Sequence, residues 1–259
     1  MRDKKKFVYR TLVFLLAAAI LVQGVGIFKK TRAQAVGTII DWGIHFETEG
    51  EAPIGNATTE YLAQYNAYYV ESTEEKVLYL TFDAGYENGY TEDILDVLKA
   101  HNVPAAFFLT GHYVKTNPEL MKRIADEGHV IGNHTVNHPD MTTLDFNAFK
   151  KEIEEMETLV YDAIGKPIYR PPSGKFNESN LEYADTLGYK TVFWSLAYAD
   201  WDNDSQPSAE TAFTRMVPRL HPGAIVLLHS TSETNRDVLD ELLTRYENMG
   251  YTFKSLYEL

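Results

Sequence analysis

From residue 76 onward the chain alternates short apolar runs with amphipathic stretches, and this limits its possible folds more than any other feature. Seven runs read as strands: Val77–Phe82, Ala105–Leu109, His129–Gly132, Ile168–Arg170, Lys190–Ser195, Ala224–Leu228 and Thr252–Lys254. About six helical segments lie between them, with legible ends. Thr91 before "EDI" reads as an N-cap, and Asn117-Pro118 as a cap followed by proline at the first helical position. Gly128, Gly165, Gly188 and Gly250 read as glycines that close helices. Strands joined through helical crossovers run parallel. The expected class is therefore α/β, with about seven parallel strands in an open sheet or a barrel.

The residues capable of chemistry favour the barrel. Asp83, the pair His134 and His138, Arg170, Asp200 and His229 each fall at or just after the end of an expected strand. In a closed (β/α) barrel those ends converge on one mouth. In an open sheet, groups on the first and penultimate strands would stand far apart.

The N-terminus is of another kind. "MRDKKK" is basic, the run after Arg10 carries no charge for 18 residues, and "KKTRAQA" follows. Residues 1–35 are expected to be a signal peptide, with Ala33-Gln34-Ala35 as a small-x-small cleavage pattern, or an uncleaved anchor. Either way the rest of the chain is exported: secreted, or held on the outer face of the cytoplasmic membrane by residues 7–28. The whole chain has 24 Lys+Arg and 37 Asp+Glu, of which the first 35 residues hold 8 and 1. The remainder thus carries 16 and 36, a net charge of −20. No basic stripe is left for a phosphate backbone, which argues against nucleic acid. The absence of cysteine excludes disulfides, thiol nucleophiles and thiolate-bound zinc. Residues 36–75 form a lead-in to the domain over 76–259. In it Tyr61, Leu62, Tyr65, Tyr68 and Tyr69 predict a short helix with an aromatic face.

Each site motif has a chemical reading. "HTVNH" spaces His134 and His138 four apart; on a helical turn two such imidazoles point the same way and can share a cation. Two capping histidines after a strand would look the same. In "RPPSG" two prolines stiffen the loop after Arg170, suiting a guanidinium that keeps Asp83 ionised. "IVLLH" ends an apolar strand in His229 and "YADW" presents Asp200; a carboxylate that holds an imidazole fixes its tautomer and raises its pKa. Together they make a base, its partner, a two-imidazole cation site, an acid and its orienter, the set required for metal-assisted hydrolysis of an amide or ester.

In order, "TFDA", "HTVNH", "RPPSG", "YADW" and "IVLLH" resemble the five motifs of the polysaccharide deacetylases, the NodB-homology domain of carbohydrate esterase family 4. "TFDAGYENGYT", "TGHYV" and "GYTFKSL" look more narrowly like the de-N-acetylases of the muramic δ-lactam route in spore cortex. The resemblance implies a distorted (β/α) barrel of fewer than eight strands and removal of the acetyl group from stem-free N-acetylmuramic acid in peptidoglycan glycan strands. It implies that His134 and His138 hold a divalent cation such as zinc, that Asp83 is the base tethered by Arg170, and that His229 is the acid oriented by Asp200. Ser173 would lend a backbone N–H to the oxyanion, Leu227 would line the acetyl pocket, and Tyr86 and Trp201 would stack on sugar faces. Core packing is an equal reading for those two aromatics.

The sequence departs from the family at Ala84, where most members carry an aspartate ligand. Weak metal binding is therefore expected, with Glu87, Asn88 or His112 near enough to compensate. The lactyl carboxylate of muramic acid calls for a cation, with Lys175 and Arg170 as the nearest in the motifs. Two other readings stay open: a deacetylase of N-acetylglucosamine polymers, and a wall-binding module impaired in catalysis.

Overall fold

The computed structural model describes residues 37–160 and 165–259. The leader expected over residues 1–35 lies outside the described residues. Among those described, no helix is long and apolar enough to cross a membrane. The lead-in contributes strands β1 (Ile40–Asp41), β2 (Ile44–His45), β3 (Ile54–Gly55) and β4 (Ala67–Tyr68). Then come β5 (Val77–Ala84), β6 (Ala105–Leu109), β7 (Val130–Asn133), β8 (Ile168–Tyr169), β9 (Lys175–Phe176), β10 (Lys190–Val192), β11 (Ala224–His229) and β12 (Thr252–Phe253).

The main sheet follows the path β11-β5-β6-β7-β8-β10-β4, with β12 attached to β5 off that path. Every pairing in it is parallel. All seven expected strands lie in this sheet, and β4 joins them from the lead-in. Past Val192 the chain leaves regular pairing but reaches β11. There Leu196 forms a parallel bridge with Val226, and the Leu227 N–H donates to the Leu196 carbonyl at 2.9 Å. Val70 bridges Ala224 at the start of β11. The sheet thus curls round on itself into a distorted (β/α) barrel.

Strand β5 is buried along its whole length, and its alternate residues serve two layers. Leu78, Leu80, Phe82 and Ala84 pack outward with Ile94, Leu98, Leu239 and Leu243 of the surrounding helices. Tyr79 faces inward with Phe108, Val192 and Ile225. Fully burying a side chain such as Phe82 contributes about 1.5–3 kcal/mol. The helix Thr91–His101 turns Ile94, Leu95 and Leu98 to the barrel at the three- and four-residue spacing of an amphipathic face.

The start of this helix corrects the sequence reading. Thr91 is its first helical residue rather than its cap, and Tyr90 at the cap position makes no side-chain bond. Glu87 takes the role: its Oε1 accepts from the N–H groups of Gly89 at 2.6 Å, Tyr90 at 2.8 Å and Thr91 at 3.2 Å. A carboxylate satisfies several orphan donors at once and lies at the positive end of the helix dipole. Pro118 does open its helix. Gly128, Gly188 and Gly250 have the left-handed φ angles (84°, 82° and 84°) of closing glycines.

The aromatic helix expected in the lead-in is shorter than its pattern. It ends at Ala63, and Tyr68 lies in β4. Leu62 and Tyr69 pack with Trp42, Phe176, Leu181 and Phe193, and the Trp42 ring stacks on Phe193 at 4.8 Å. The Trp42 Nε1–H donates to the Trp194 carbonyl at 3.0 Å, while β1 pairs antiparallel with β9. The lead-in is thereby fastened to the loop that follows Arg170.

One glycine is required at the barrel seam. Gly223 has φ of 72°, and a Cβ there would stand 2.1 Å from the Glu71 carbonyl oxygen, whereas a Cβ at Gly128 (φ 84°) would meet nothing within 4 Å. Gly128→Ala therefore carries only the backbone penalty, about 1–2 kcal/mol. Gly223→Ala adds a backbone clash and is expected to lower unfolding stability by about 3 kcal/mol or more. Denaturant midpoints of the two variants, compared at equal slope, check the order.

Candidate active site

The parallel register of β5 and β11 makes Asp83 and His229 direct partners across the two strands. The first and penultimate expected strands are therefore neighbours, which an open sheet in sequence order would not allow. At the same rim, β8 ends at Tyr169 and delivers Arg170, fixed by its own N–H to the Asn133 carbonyl at 3.1 Å.

Arg170 is wholly buried. Its Nη1 donates to Asp83 Oδ1 at 2.8 Å, Nε to the Val192 carbonyl at 3.0 Å and Nη2 to the Phe193 carbonyl at 3.2 Å. Its guanidinium lies 4.0 Å over the Phe108 ring. Burial pushes the Asp83 carboxyl up, but Arg170, with His134 and His229, outweighs it and holds the group below the usual value. Asp83 is thus an ionised carboxylate facing the cleft, its Oδ1 taken by Arg170.

His134 follows β7 and is buried. Its Nδ1 lies 2.9 Å from the Arg170 carbonyl, which can only accept, so Nδ1 carries the proton. Burial depresses this imidazole to about 4, so it is neutral at physiological pH. Its Nε2 then presents a lone pair 3.5 Å from Asp83 Oδ2. The His138 ring completes the pair, with centroids 4.8 Å apart.

That pairing arises differently from the helical turn expected. Residues 134–138 are not helical; Thr135 and His138 take left-handed φ angles of 68° and 54°. The Thr135 N–H donates to Asn133 Oδ1 at 2.9 Å, and the His138 N–H to Thr135 Oγ1 at 2.9 Å. A bent loop held by its own polar side chains replaces the helix.

Among the described residues no group of three or more His, Cys, Asp or Glu side chains could hold a metal ion. The donor set fits a cation held by two imidazoles and completed by solvent or substrate. The expected compensators divide. Glu87 is occupied as a helix cap, and the Asn88 amide donates to the Thr231 carbonyl at 2.9 Å. His112 does line the cleft. Ala84 packs in the outer hydrophobic cluster.

Across the cleft, the His229 Nδ1–H donates to Asp200 Oδ1 at 2.8 Å, and the His229 backbone N–H to Asp200 Oδ2 at 2.8 Å. Asp200 is fully buried. Asn235, which the sequence reading missed, donates from Nδ2 to Asp200 Oδ2 at 2.6 Å and to the His229 carbonyl at 3.0 Å. Burial opposes charge on His229, but Asp200, then Asp83, raise its pKa above the usual 6.5.

These groups open into a cleft of about 1140 Å³. Asp83, His134, His138, His229, Ser173, Leu227, Tyr86 and Trp201 line it. Arg170 and Asp200 do not line it and stand behind, bonded to Asp83 and His229. Ser173 has a left-handed φ of 56°. Tyr86 and Trp201 are 43% and 63% exposed, so they are rim residues and not core. Trp42, Trp194 and Lys115 also line the cleft, although no sequence motif pointed to them.

Comparison with known proteins agrees with this geometry. The family model "Polysaccharide deacetylase" matches residues 70–192. Over 250 residues the chain is 43% identical to the peptidoglycan-N-acetylmuramic acid deacetylase PdaA of Bacillus subtilis, covering 95% of this chain and 94% of that protein. It is 36% identical over 183 residues to a peptidoglycan-N-acetylglucosamine deacetylase of Bacillus cereus, covering 68% and 66%. The solved structure of Bacillus subtilis PdaA, a family 4 carbohydrate esterase, superposes with a TM-score of 0.81 at 44% identity, covering 85% of this chain and 96% of that one. The chain belongs to the polysaccharide deacetylases, carbohydrate esterase family 4. It is a hydrolase of N-acetyl amides.

The His229 imidazole is expected to titrate above 6.5. Its partnership with Asp200 contributes stability that is complete below the unfolded value and is lost as pH rises through the folded one. Asp200→Asn removes the main charge that raises the pKa and leaves burial to depress it. The titration should then fall below 6.5, as followed by NMR of the imidazole C–H.

Proposed function

We propose that this enzyme removes the acetyl group from N-acetylmuramic acid residues of peptidoglycan, on glycan outside the cytoplasmic membrane, as a step toward muramic δ-lactam. The reading is carried by one arrangement: an ionised Asp83 and an Asp200-held His229, its pKa raised, placed side by side by strand register in one cleft. The relative that acts on muramic acid supports the sugar. The basic-apolar-basic segment over residues 1–35 supports export, either as a cleaved leader or as an anchor.

In this mechanism the acetamide enters the acetyl pocket lined by Leu227. Asp83, with Oδ1 bonded to Arg170, accepts the proton of the attacking water through Oδ2. As the water oxygen bonds to the carbonyl carbon, negative charge develops on the carbonyl oxygen, and Ser173, which lines the same cleft, would offer its backbone N–H to it. His229 then gives its Nε2 proton to the nitrogen as the C–N bond breaks, leaving acetate and a free amine. His134 and His138 are the residues that would hold a divalent cation, which when bound polarises the carbonyl and lowers the pKa of water. With two imidazoles as its donors among the described residues, the site would hold such a cation weakly, with zinc, manganese and cobalt as the candidates. Tyr86 and Trp201 offer faces for sugar rings.

A second reading, deacetylation of N-acetylglucosamine polymers, is favoured by the relative that acts on that sugar. Acetate release from the full-length protein separates the two. Stem-free peptidoglycan glycan with divalent metal should yield acetate faster than chitin oligomers, and a chelator should suppress it. Acetate chiefly from chitin oligomers would install the second reading; retained glycan binding with no acetate from either would install a binding module. Asp83→Asn keeps a partner for Arg170 but cannot take a proton, and kcat should fall by about 10²–10⁴. The pH profile of kcat/KM has a defined sign: Asp83 stays ionised below its usual value, so the acid limb is low. The alkaline limb falls as His229 deprotonates above 6.5.

A further inference from the structure

Muramic acid differs from glucosamine by a lactyl ether on the ring carbon next to the one that bears the acetamide. When that lactyl group is free it ends in a carboxylate, so an enzyme selective for it gains from a cation beside the acetyl site. The two cations that the motifs offered are not available for this. Arg170 is wholly buried and spends its donors on Asp83, Val192 and Phe193. Lys175 is absent from the cleft wall, and its ammonium lies 3.4 Å from Asp140 and 3.9 Å from Asp41.

Among the described residues lining the cleft, Lys115 is the only lysine or arginine. It is exposed. No carboxylate among the described residues is paired with it, although residues 36–259 carry a net charge of −20. Its place is set by the short helix Gly111–Thr116. The Gly111 N–H donates to the Thr135 carbonyl at 3.2 Å. A Cβ at Gly111 would lie 2.5 Å from the Val136 side chain, so the helix sits directly on the loop that presents His134 and His138. Lys115 is four residues on, about 6 Å along the axis. It shares a face with His112, three residues before it, which also lines the cleft. Tyr113 and Val114 are buried and anchor the opposite side.

We infer that Lys115 is a specificity-determining residue that pairs with the free lactyl carboxylate of the muramic acid being deacetylated. The inference rests on the muramic reading above and deepens it. Glucosamine offers nothing to this cation, and an esterified or amidated lactyl group offers no charge. Selectivity thus comes from a group that takes no part in the proton transfers.

The test uses the full-length protein and three substrates: stem-free muramic glycan, the same glycan with its lactyl groups methyl-esterified, and an N-acetylglucosamine oligomer. The wild type should favour the acid over the ester by about tenfold in kcat/KM, mainly through KM, the scale of one charge-assisted hydrogen bond. Salt near 0.5 M should narrow that preference (~0.5 M brings the screening length to a few ångströms). Lys115→Met should bring the acid-to-ester ratio close to one at an unchanged melting temperature, and Lys115→Arg should restore most of it. A folded Lys115→Met protein that still favours the acid overturns the role of Lys115. So does a wild type that favours both muramic glycans equally over glucosamine, although the muramic reading then stands. A wild type that favours glucosamine oligomers overturns both.

Discussion

The ion pair between Asp83 and Arg170 is the interaction around which the rest of the mouth is arranged. Taking a guanidinium and a carboxylate out of water is costly, and removing either partner of such a pair typically destabilises by about 3–5 kcal/mol. Arg170 is accommodated because its remaining donors meet the Val192 and Phe193 carbonyls and its flat face lies on Phe108. Those carbonyls are free for it because the chain leaves regular pairing after Val192, where it bends toward β11. The same arginine, through its own carbonyl, fixes the proton of His134 on Nδ1. One buried residue thereby holds Asp83 ionised and turns the lone pair of the first imidazole toward it.

A second polar group of similar design faces it. Asp200 has no exposed surface, and its oxygens accept from the ring and backbone of His229 and from Asn235. Full satisfaction of the buried carboxylate fixes its place and holds its histidine in one tautomer. Asp83 and Asp200 therefore act through opposite environments. Arginine holds one as a free acceptor, while donors saturate the other so that it serves only to hold His229.

Much of this was legible in the residue order. Asp83, His134, Arg170 and His229 all end strands that announce themselves by apolar runs, so barrel closure alone predicts their meeting. The periodicity misled at two points, for physical reasons. A four-residue spacing of histidines is the same in a helical turn and in a loop with two left-handed residues, and only the hydrogen bonds of Asn133 and Thr135 select the loop. Thr91 has the chemistry of a cap, yet Glu87 outcompetes it because one carboxylate reaches three N–H groups. Asn235 and Lys115 gave no signal, since a polar residue on a helix gains its role only from what that helix is packed against.

The amino-acid order by itself determined the alternating elements, hence the parallel sheet and the set of chemical groups along its rim, because local periodicity and turn chemistry act over a few residues. The tertiary structure alone decided which groups meet and in what protonation state. Register across β5 and β11 sets Asp83 beside His229, and the fastening of the lead-in to Trp194 adds Trp42 to the cleft wall. Burial with partners drawn from distant parts of the chain sets the charges of the site, and such long-range desolvation has no local trace in the sequence.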